Sequence, residues 1–319
     1  MKSLLRVLCA VLAAVPMLAA AQGAYPVKPV RVIVSTVPGP LDAFARIICE
    51  KLSTSLKQPF IVENKAGAGG NIAAEYVKNQ APDGYTLLFA IDTTFTVNPG
   101  LYKKLPFDPD KDFAAISVPV TYAQMLTVNP TVPVKNVSEL VALSKQKPLS
   151  YASGGNGSPS HLAGAYFLSV ANTEMTHIPY KGTGQSVVDV IGGRVDTLFA
   201  VTSGVLPQVQ GGKLKALAVS SPKRSPLAPD VPTIAEVGYP GFDVQFAYAL
   251  MAPAGTPNEI VQLLNYEVQK AMHDPDVIEK NRIADYAPTN LDPKQSAVWL
   301  RENREKWTGV IRKANITAE

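Results

Sequence analysis

In the first part of the chain, short apolar runs alternate with longer segments of helical periodicity. The run Val30–Val34 precedes a helical pattern over residues 42–56, the run 60–62 precedes one over 71–79, and the run 86–90 precedes one over 92–101. Strands that are apolar throughout are typical of sheets buried on both faces, and intervening helices connect parallel strands. The pattern predicts an α/β unit, with a mainly parallel sheet and helices on both of its faces.

The same alternation resumes after Asn129 and Pro130. Helices are predicted over 137–146, 161–171 and 187–192, and strands over 149–152, Thr176–Pro179, 195–200 and 214–220. A third section begins near Phe242 with a strand over 248–252. Two helices follow it, one expected to start with Thr256 as the N-cap and Pro257 in first position, the other with Asp292 as the cap and Gln295 three residues on.

We expect the third section to return to the first unit. The predicted architecture has two lobes, one of residues 25–125 plus 242–319 and the other of residues 126–241. Each lobe is a mainly parallel sheet flanked by helices, with a hinge and a ligand cleft between the lobes.

The beginning of the chain has the pattern of an export signal. Lys2 and Arg6 precede an apolar stretch over 7–18, and three alanines at 19–21 supply the small residues that a signal peptidase needs. We predict a signal peptide over 1–21 and a periplasmic mature protein. No later stretch of the sequence is long and apolar enough to suggest a membrane span.

The net charge and the cysteine content limit the partners and the cross-links that the protein can have. The formal charge of +4 falls to about +2 once Lys2 and Arg6 are removed, and the other basic residues are scattered along the chain. We therefore expect a monomer that binds no nucleic acid. Cys49 is the only cysteine left after cleavage, so no intramolecular disulfide can form and a buried thiol is expected.

Two turns join an apolar run to a helix and carry the main functional signal. They lie at residues 38–42, with Gly39 and Asp42, and at residues 153–158, with Ser153 and Ser158. The first N–H groups of a helix are unpaired and lie at the positive end of its dipole, so such turns can bind a carboxylate. Two of them, far apart in sequence, predict a cleft that holds an anionic ligand from both sides.

The candidate ligand contacts lie in these turns and at other strand ends. They are Thr36, Gly39, Leu41, Asp42, Thr93, Ser153, Asn156, Gly157, Ser158, His161, Tyr180, Asp196, Thr202 and Tyr248. Helix capping alone would account for one residue of the second turn. Asp42 is interpreted either as a cap or as an acceptor from ordered water, Asp196 either as a strand end or as such an acceptor, and His161 either as a neutral donor or as a structural residue.

Several other kinds of site are disfavoured. Residues 67–71 resemble a dinucleotide fingerprint, but its third glycine position is Ile72 and the motif follows the second strand. The three histidines have no partner at metal-ligand spacing, so neither a metal nor a cofactor is expected. A hydrolase using Ser158 and His161 is the less favoured alternative because no acidic partner is suitably placed. We therefore predict that the protein is not an enzyme.

Nearly the whole mature chain carries motifs of one known family. These are residues 25–30, 62–72, 83–87, 98–108, 180–182, 211–214, 223–226, 230–233 and 252–257. With them the chain resembles the Bug receptors of tripartite tricarboxylate transporters. The resemblance implies a periplasmic binding protein of the type II kind that closes around a small carboxylate and presents it to a membrane permease. It also implies that the 36–42 loop, with ordered waters, and the 153–158 loop hold one carboxylate.

The chain departs from the family pattern at two points. Pro40 stands where a second glycine is usual and removes a backbone donor, and the 36–42 loop is one residue shorter. Residues 200–203 replace the usual Asp and Asn, which argues against an amino-acid ligand and for a plain dicarboxylate. Aromatic residues near the turns raise the hypothesis of an aromatic dicarboxylate such as terephthalate. A sensor that contacts a signalling partner remains an alternative.

Overall fold

The computed structural model describes residues 25–313 and 316–317; the predicted signal peptide lies outside them. In the first lobe, strands and helices alternate as the apolar pattern predicts. The elements are β1 (Val30–Val34), α1 (Pro40–Leu56), β2 (Phe60–Asn64), a 3-10 turn (Ala68–Gly70), α2 (Asn71–Lys78), β3 (Thr86–Ile91), α3 (Thr93–Thr96) and α4 (Asn98–Leu101). The single helix expected over 92–101 is thus two short ones, with Pro99 at the start of the second.

A long strand, β4 (Phe113–Val128), leads into the second lobe. The elements that follow are α5 (Val137–Ser144), β5 (Ser150–Ser153), α6 (Pro159–Ala171), β6 (Thr176–Pro179), α7 (Thr183–Ile191), β7 (Thr197–Val201), α8 (Thr202–Gln210) and β8 (Lys215–Val219). The sequence pattern predicted neither β4 nor α8.

The chain then returns to the first lobe. It does so through β9 (Gln245–Pro253), α9 (Asn258–Met272), α10 (Pro275–Ala284), β10 (Tyr286–Pro288) and α11 (Pro293–Lys313). At the start of α11, Asp292 and Gln295 form the expected capping box, with distances of 2.7 and 3.0 Å. The cap expected at Thr256 was wrong, because its hydroxyl donates to the Pro253 carbonyl and α9 begins at Asn258.

The strand order is β2-β1-β3-β9-β4-β7-β5-β6, with β8 and β10 also paired to β4. The outer strands are parallel, as expected, whereas every pair involving β4 or β9 is antiparallel. β4 pairs with β9 as far as Ala123 and with β7 from Gln124, so it runs from one lobe into the other. The sheets thus contain both parallel and antiparallel pairs, since the antiparallel strands β4 and β9 lie in the middle of the strand order.

Strand direction decides which edges of the two lobes face each other. β1 and β3 run in the same sense as β4, and therefore point towards the second lobe. β5 and β7 run opposite to β4, and therefore point back towards the first. The carboxyl ends of the parallel strands thus face each other across the crossing, which is where α/β folds place ligands.

Ser220 connects the two crossing segments. Its N–H donates to the Gln124 carbonyl at 2.8 Å and its hydroxyl donates to the Val244 carbonyl at 2.6 Å. In return, the N–H groups of Gln124 and Val244 donate to its hydroxyl and carbonyl oxygens. Backbone pairing is therefore continuous where the chain passes between lobes.

The core extends through both lobes. Cys49 is buried within it, as expected, and burial raises the pKa of its thiol to about 12. Trp307 of α11 is fully buried and stacks on Phe246, with ring centroids 5.4 Å apart. None of the helices within the described residues has both the length and the apolar character needed to span a membrane.

Candidate functional site

The turn at 153–158 reaches the first lobe. A Cβ atom placed on Gly157 would lie 2.4 Å from Cδ2 of Leu101, the last residue of α4. Gly157 also has a φ of +73°, a conformation that favours glycine. The turn that follows β5 therefore packs directly against the facing lobe, and glycine is required at this contact.

The N–H groups of this turn are largely bonded to side chains of the turn itself and of the first turn of α6. Gly154 donates to Ser160 Oγ at 2.9 Å, Gly155 to Ser153 Oγ at 3.1 Å, and Gly157 to His161 Nδ1 at 3.0 Å. In this conformation the turn therefore lacks the consecutive free backbone donors that the sequence indicated for an anion site. Asn156, exposed at the tip, remains a candidate donor.

Ser158 is explained by capping. Its hydroxyl donates to the Gly155 carbonyl at 2.7 Å, and its oxygen accepts from the N–H of His161 as the N-cap of α6. A hydroxyl has one proton, and here that proton is used within the turn. The structure therefore assigns Ser158 to the turn itself rather than to a ligand.

His161 is neutral and has one donor left. Burial, together with the neighbouring His177, lowers its pKa to about 3. Since Nδ1 accepts from Gly157, the neutral ring carries its proton on Nε2. No residue in the described part of the chain accepts a hydrogen bond from that Nε2. The arrangement also excludes the hydrolase pairing, because Ser158 bonds the backbone N–H of His161 and not its ring.

In the first lobe, the turn after β1 is held by an ion pair. Asp42 accepts from Arg46 at 2.8 and 2.9 Å and from Asn64 Nδ2 at 2.9 Å. The Arg46 hydrogen bonds lower the pKa of Asp42 despite its burial. Asn64 Nδ2 also donates to the Thr36 carbonyl at 3.0 Å, which fixes the start of the turn. Asp42 is neither the cap of α1 nor a free acceptor at the cleft.

The sequence interpretation missed Arg46 and Asn64. The spacing of four residues between Asp42 and Arg46 on one helix was a usable signal for the first. Leu41 and Gly39 lie in the same turn: the Leu41 side chain is buried, and Gly39 is the backbone N-cap of α1. Only their backbone atoms are therefore candidates for ligand contact.

Two further strand ends lie on the facing edges. Thr202 begins α8 directly after β7; it is fully buried, and its hydroxyl has no hydrogen-bond partner among the described residues. Thr93 begins α3 after β3 and is also buried. Asp92, just before it, accepts from the N–H of Ala247 at 2.9 Å, and burial raises its pKa to about 7.

Three predicted contacts have their polar groups bonded to other residues. Asp196 accepts from the N–H and hydroxyl of Ser150 at 2.7 and 2.8 Å, at the amino ends of β7 and β5, on the edge opposite the cleft. Tyr248 is buried in the core, where its hydroxyl bonds that of Tyr286 at 2.8 Å. Tyr180 follows β6, but its hydroxyl donates to Asp189 at 2.7 Å.

The aromatic residues near the turns also belong to the core. Each of the following is at most 3 % exposed: Phe44, Phe89, Phe95, Phe199 and Phe246. They pack on one another, as in the edge-on pair of Phe44 and Phe89. Across the described residues, no group of three metal-ligating side chains is close enough to hold an ion.

Comparison with known proteins identifies the family. The model of the tripartite tricarboxylate transporter family receptor matches residues 44–316. Protein BugT of Bordetella pertussis is 34% identical over 292 residues, which are 90% of each chain.

Two solved structures from Rhodopseudomonas palustris are similar along almost their whole length. Rpa4515 with adipate is 31% identical with a TM-score of 0.83, over 92% of this chain and 99% of that one. MatC with bound malate is 32% identical with a TM-score of 0.79, over 90% of this chain and 100% of that one. The chain therefore belongs to the Bug-type receptors of the tripartite tricarboxylate transporter family, which are two-lobed periplasmic solute-binding proteins and not enzymes.

Proposed function

We propose that this protein captures a small aliphatic dicarboxylate between its lobes in the periplasm and delivers it to a membrane permease. Two of its solved relatives hold adipate and malate, both of them aliphatic dicarboxylates. The lobes of the proposal are residues 25–125 plus 242–319 and residues 126–241, hinged at the crossing that Ser220 connects, and the chain acts as a monomer that requires no cofactor.

The ligand donors of the proposal come from both lobes. The second lobe contributes His161 Nε2–H, the exposed amide of Asn156, and the start of α8 with Thr202. The first contributes backbone N–H groups at the start of α1 and the hydroxyls of Thr36 and Thr93. Because Pro40 has no N–H and the glycine amides of the 153–158 turn are already bonded, neither lobe alone supplies a full set. Binding therefore favours the closed arrangement.

The unpartnered hydroxyl of Thr202 is the observation that carries the proposal. A buried hydroxyl without a partner costs free energy, and a carboxylate oxygen arriving in the cleft would accept its proton. The nearby carboxylates are already bonded and offer a ligand no free acceptor. Asp42 is paired with Arg46, and Asp92 accepts from the N–H of Ala247. This contrast favours a plain dicarboxylate over an amino acid, whose ammonium group needs a free acceptor.

The structure also bears on the choice between aliphatic and aromatic ligands. Most of the rings that suggested terephthalate pack in the core, and the half-buried Tyr180 has its hydroxyl bonded to Asp189. An aliphatic chain needs no aromatic surface, so we propose adipate-like or malate-like ligands first.

A thermal-shift screen of the mature protein with adipate, malate, citrate, aspartate and terephthalate tests the proposal, with calorimetry on each hit. Ligand binding raises the melting temperature by mass action, so we expect a shift with an aliphatic dicarboxylate and none with aspartate. Thr202→Val should weaken that binding about tenfold or more, because it removes the donor and keeps the shape. A shift with aspartate alone, or none with any carboxylate, would contradict the proposal.

A further inference from the structure

Three rings are stacked beside the 153–158 turn. Tyr151 of β5 and His177 of β6 are cross-strand partners whose ring centroids are 4.8 Å apart. The ring of His161, from the first turn of α6, lies 3.9 Å from that of His177, with the two planes within 1° of parallel. The stack therefore joins the two strands and the helix between which the turn runs.

Each imidazole holds one glycine amide of the turn. His161 does so directly, through Nδ1 and the Gly157 N–H. His177 does so through Ser153: its Nε2 lies 2.6 Å from Ser153 Oγ, and that oxygen accepts from the Gly155 N–H. Gly155 and Gly157 flank Asn156, so the two histidines set the peptide planes on both sides of the tip.

We propose that His177 is a positioning residue for ligand binding. Through Ser153 and through the face of His161, it holds the turn so that Asn156 and His161 Nε2–H are directed to the ligand carboxylate. The inference rests on the proposed function, since it assigns a role within that binding site. The sequence by itself assigns His177 no role beyond a metal binding that its spacing disfavours.

An imidazole suits this position because it performs two tasks at once. Its flat face stacks between Tyr151 and His161, and its in-plane nitrogen bonds a hydroxyl at the edge of the ring. Ser153 is fully buried, so its bond to His177 is shielded from water. His177 can thus fix the Gly155 amide without touching the ligand.

Two substitutions separate the two tasks. His177→Phe keeps a ring in the stack and removes the nitrogen, whereas His177→Gln keeps a polar amide within reach of Ser153 and removes the ring. His273→Phe is the matched control, because His273 is exposed at the C-cap of α9. Each variant is measured for adipate affinity by calorimetry, for melting temperature, and for the ¹H,¹⁵N shifts of Gly155 and Gly157 without ligand.

We expect His177→Phe to weaken adipate binding about tenfold and to move the Gly155 amide signal, with little change in melting temperature. His177→Gln should restore the affinity to within about threefold, and His273→Phe should match the parent protein. Ser153→Ala removes the hydroxyl and leaves His177 in place, so it should move the same Gly155 signal even if His177→Phe does not fold.

Several outcomes would overturn the inference. These are an unchanged affinity and Gly155 signal in His177→Phe, an equal loss in Phe and Gln variants together with a lower melting temperature, or no Gly155 change in Ser153→Ala. If the parent protein binds no carboxylate, the proposed function is wrong, and this result does not depend on the role of His177. The glycine signals of the ligand-free protein then still decide whether His177 positions the turn.

Discussion

The two lobes hold equivalent turns by different chemistry. After β1, the turn is fixed by a charged network in which Asp42 accepts from Arg46 and from Asn64. After β5, it is fixed by neutral groups: hydroxyls at Ser153, Ser158 and Ser160, and the ring nitrogens of two histidines.

This difference teaches that the position of a turn at the carboxyl edge of a sheet does not prescribe how it is stabilised. An Arg-bound carboxylate keeps its charge in mild acid, whereas a neutral imidazole acceptor is lost when the ring binds a proton. The two sides of the cleft should therefore respond differently to pH and to substitution, and the following experiments exploit that contrast.

Acid should affect the second lobe first. The pKa of buried His161 is lowered to about 3 and that of His177 to about 4, whereas histidine in the unfolded chain titrates near pH 6.5. Below about pH 6.5 the unfolded state binds more protons, so stability falls as the pH drops towards the folded values. The buried His161 alone should cost on the order of 3 kcal/mol by pH 4, and the half-buried His177 should add a smaller amount because solvent screens its charge.

Hydrogen exchange at pH 7 and pH 4.5 measures this difference within one molecule. We expect the Gly157 amide, bonded to His161, to lose protection at pH 4.5, because local opening of the turn exposes an imidazole that then binds a proton, while the Ala43 amide, bonded to the Gly39 carbonyl, keeps it. The double variant His161→Gln, His177→Gln should remove the part of the acid sensitivity of unfolding that the two histidines contribute. Equal loss of protection at both amides would mean that the two turns do not differ in their response to acid.

Asp92 should give the first lobe a pH dependence of opposite sign. Burial raises its pKa to about 7, so the folded state binds more protons than the unfolded state between about pH 4 and pH 7. Stability contributed here falls as pH rises through that interval and is constant above it. Asp92→Asn should remove this loss, on the order of 3 kcal/mol, in urea unfolding at pH 5 and pH 8.

Asp230→Asn is the matched control, because it removes a carboxylate from an exposed position outside the core. If Asp92→Asn retains the full decline in the free energy of unfolding between pH 5 and pH 8, that decline comes from another group.

Gly157→Ala tests the contact between the lobes. The new methyl group would meet Leu101 at 2.4 Å on a backbone with positive φ, so we expect a loss of about 2 kcal/mol in stability and at least tenfold weaker adipate binding. Gly309→Ala is the control, because a Cβ at that exposed helical position meets nothing within 4 Å. Parental affinity in Gly157→Ala would mean that the contact is not used in binding.

The smallest effects come from removing one polar group from each turn. Asp42→Asn should cost about 1 kcal/mol, since the Arg46 side chain is half exposed, and Ser158→Ala should cost about 1 kcal/mol as a lost N-cap. Salt distinguishes them in thermal unfolding. The difference between Asp42→Asn and the parent should shrink in 1 M NaCl, and that for Ser158→Ala should not.

Much of the fold and part of the site could be predicted from the sequence. Apolar runs located β1 and Thr176–Pro179, and the Asp292 capping box was correct, because these features depend on neighbours within a few residues. β4 was missed although Ile116, Val118 and Val120 alternate with polar residues or proline, because Pro119 lies within the run and a proline argues against a central strand. Its pairing partners lie far away in the sequence.

The candidate site shows the same division. Both turns were located because glycine and helix-capping residues after an apolar run are a local signal. Their bonding could not be predicted, since His177 reaches the second turn from another strand, and Asn64 reaches the first from β2.

By itself, the sequence determined most of the strands and helices, the two turns and the family. The tertiary structure alone decided which strand ends face each other. Ser153 lies at the carboxyl end of β5 and Asp196 just before the amino end of β7, and only Ser153 is at the cleft edge, because pairing with β4 orients β5 and β7. Pairing across long sequence separations sets strand direction, and strand direction determines which polar groups a ligand can meet.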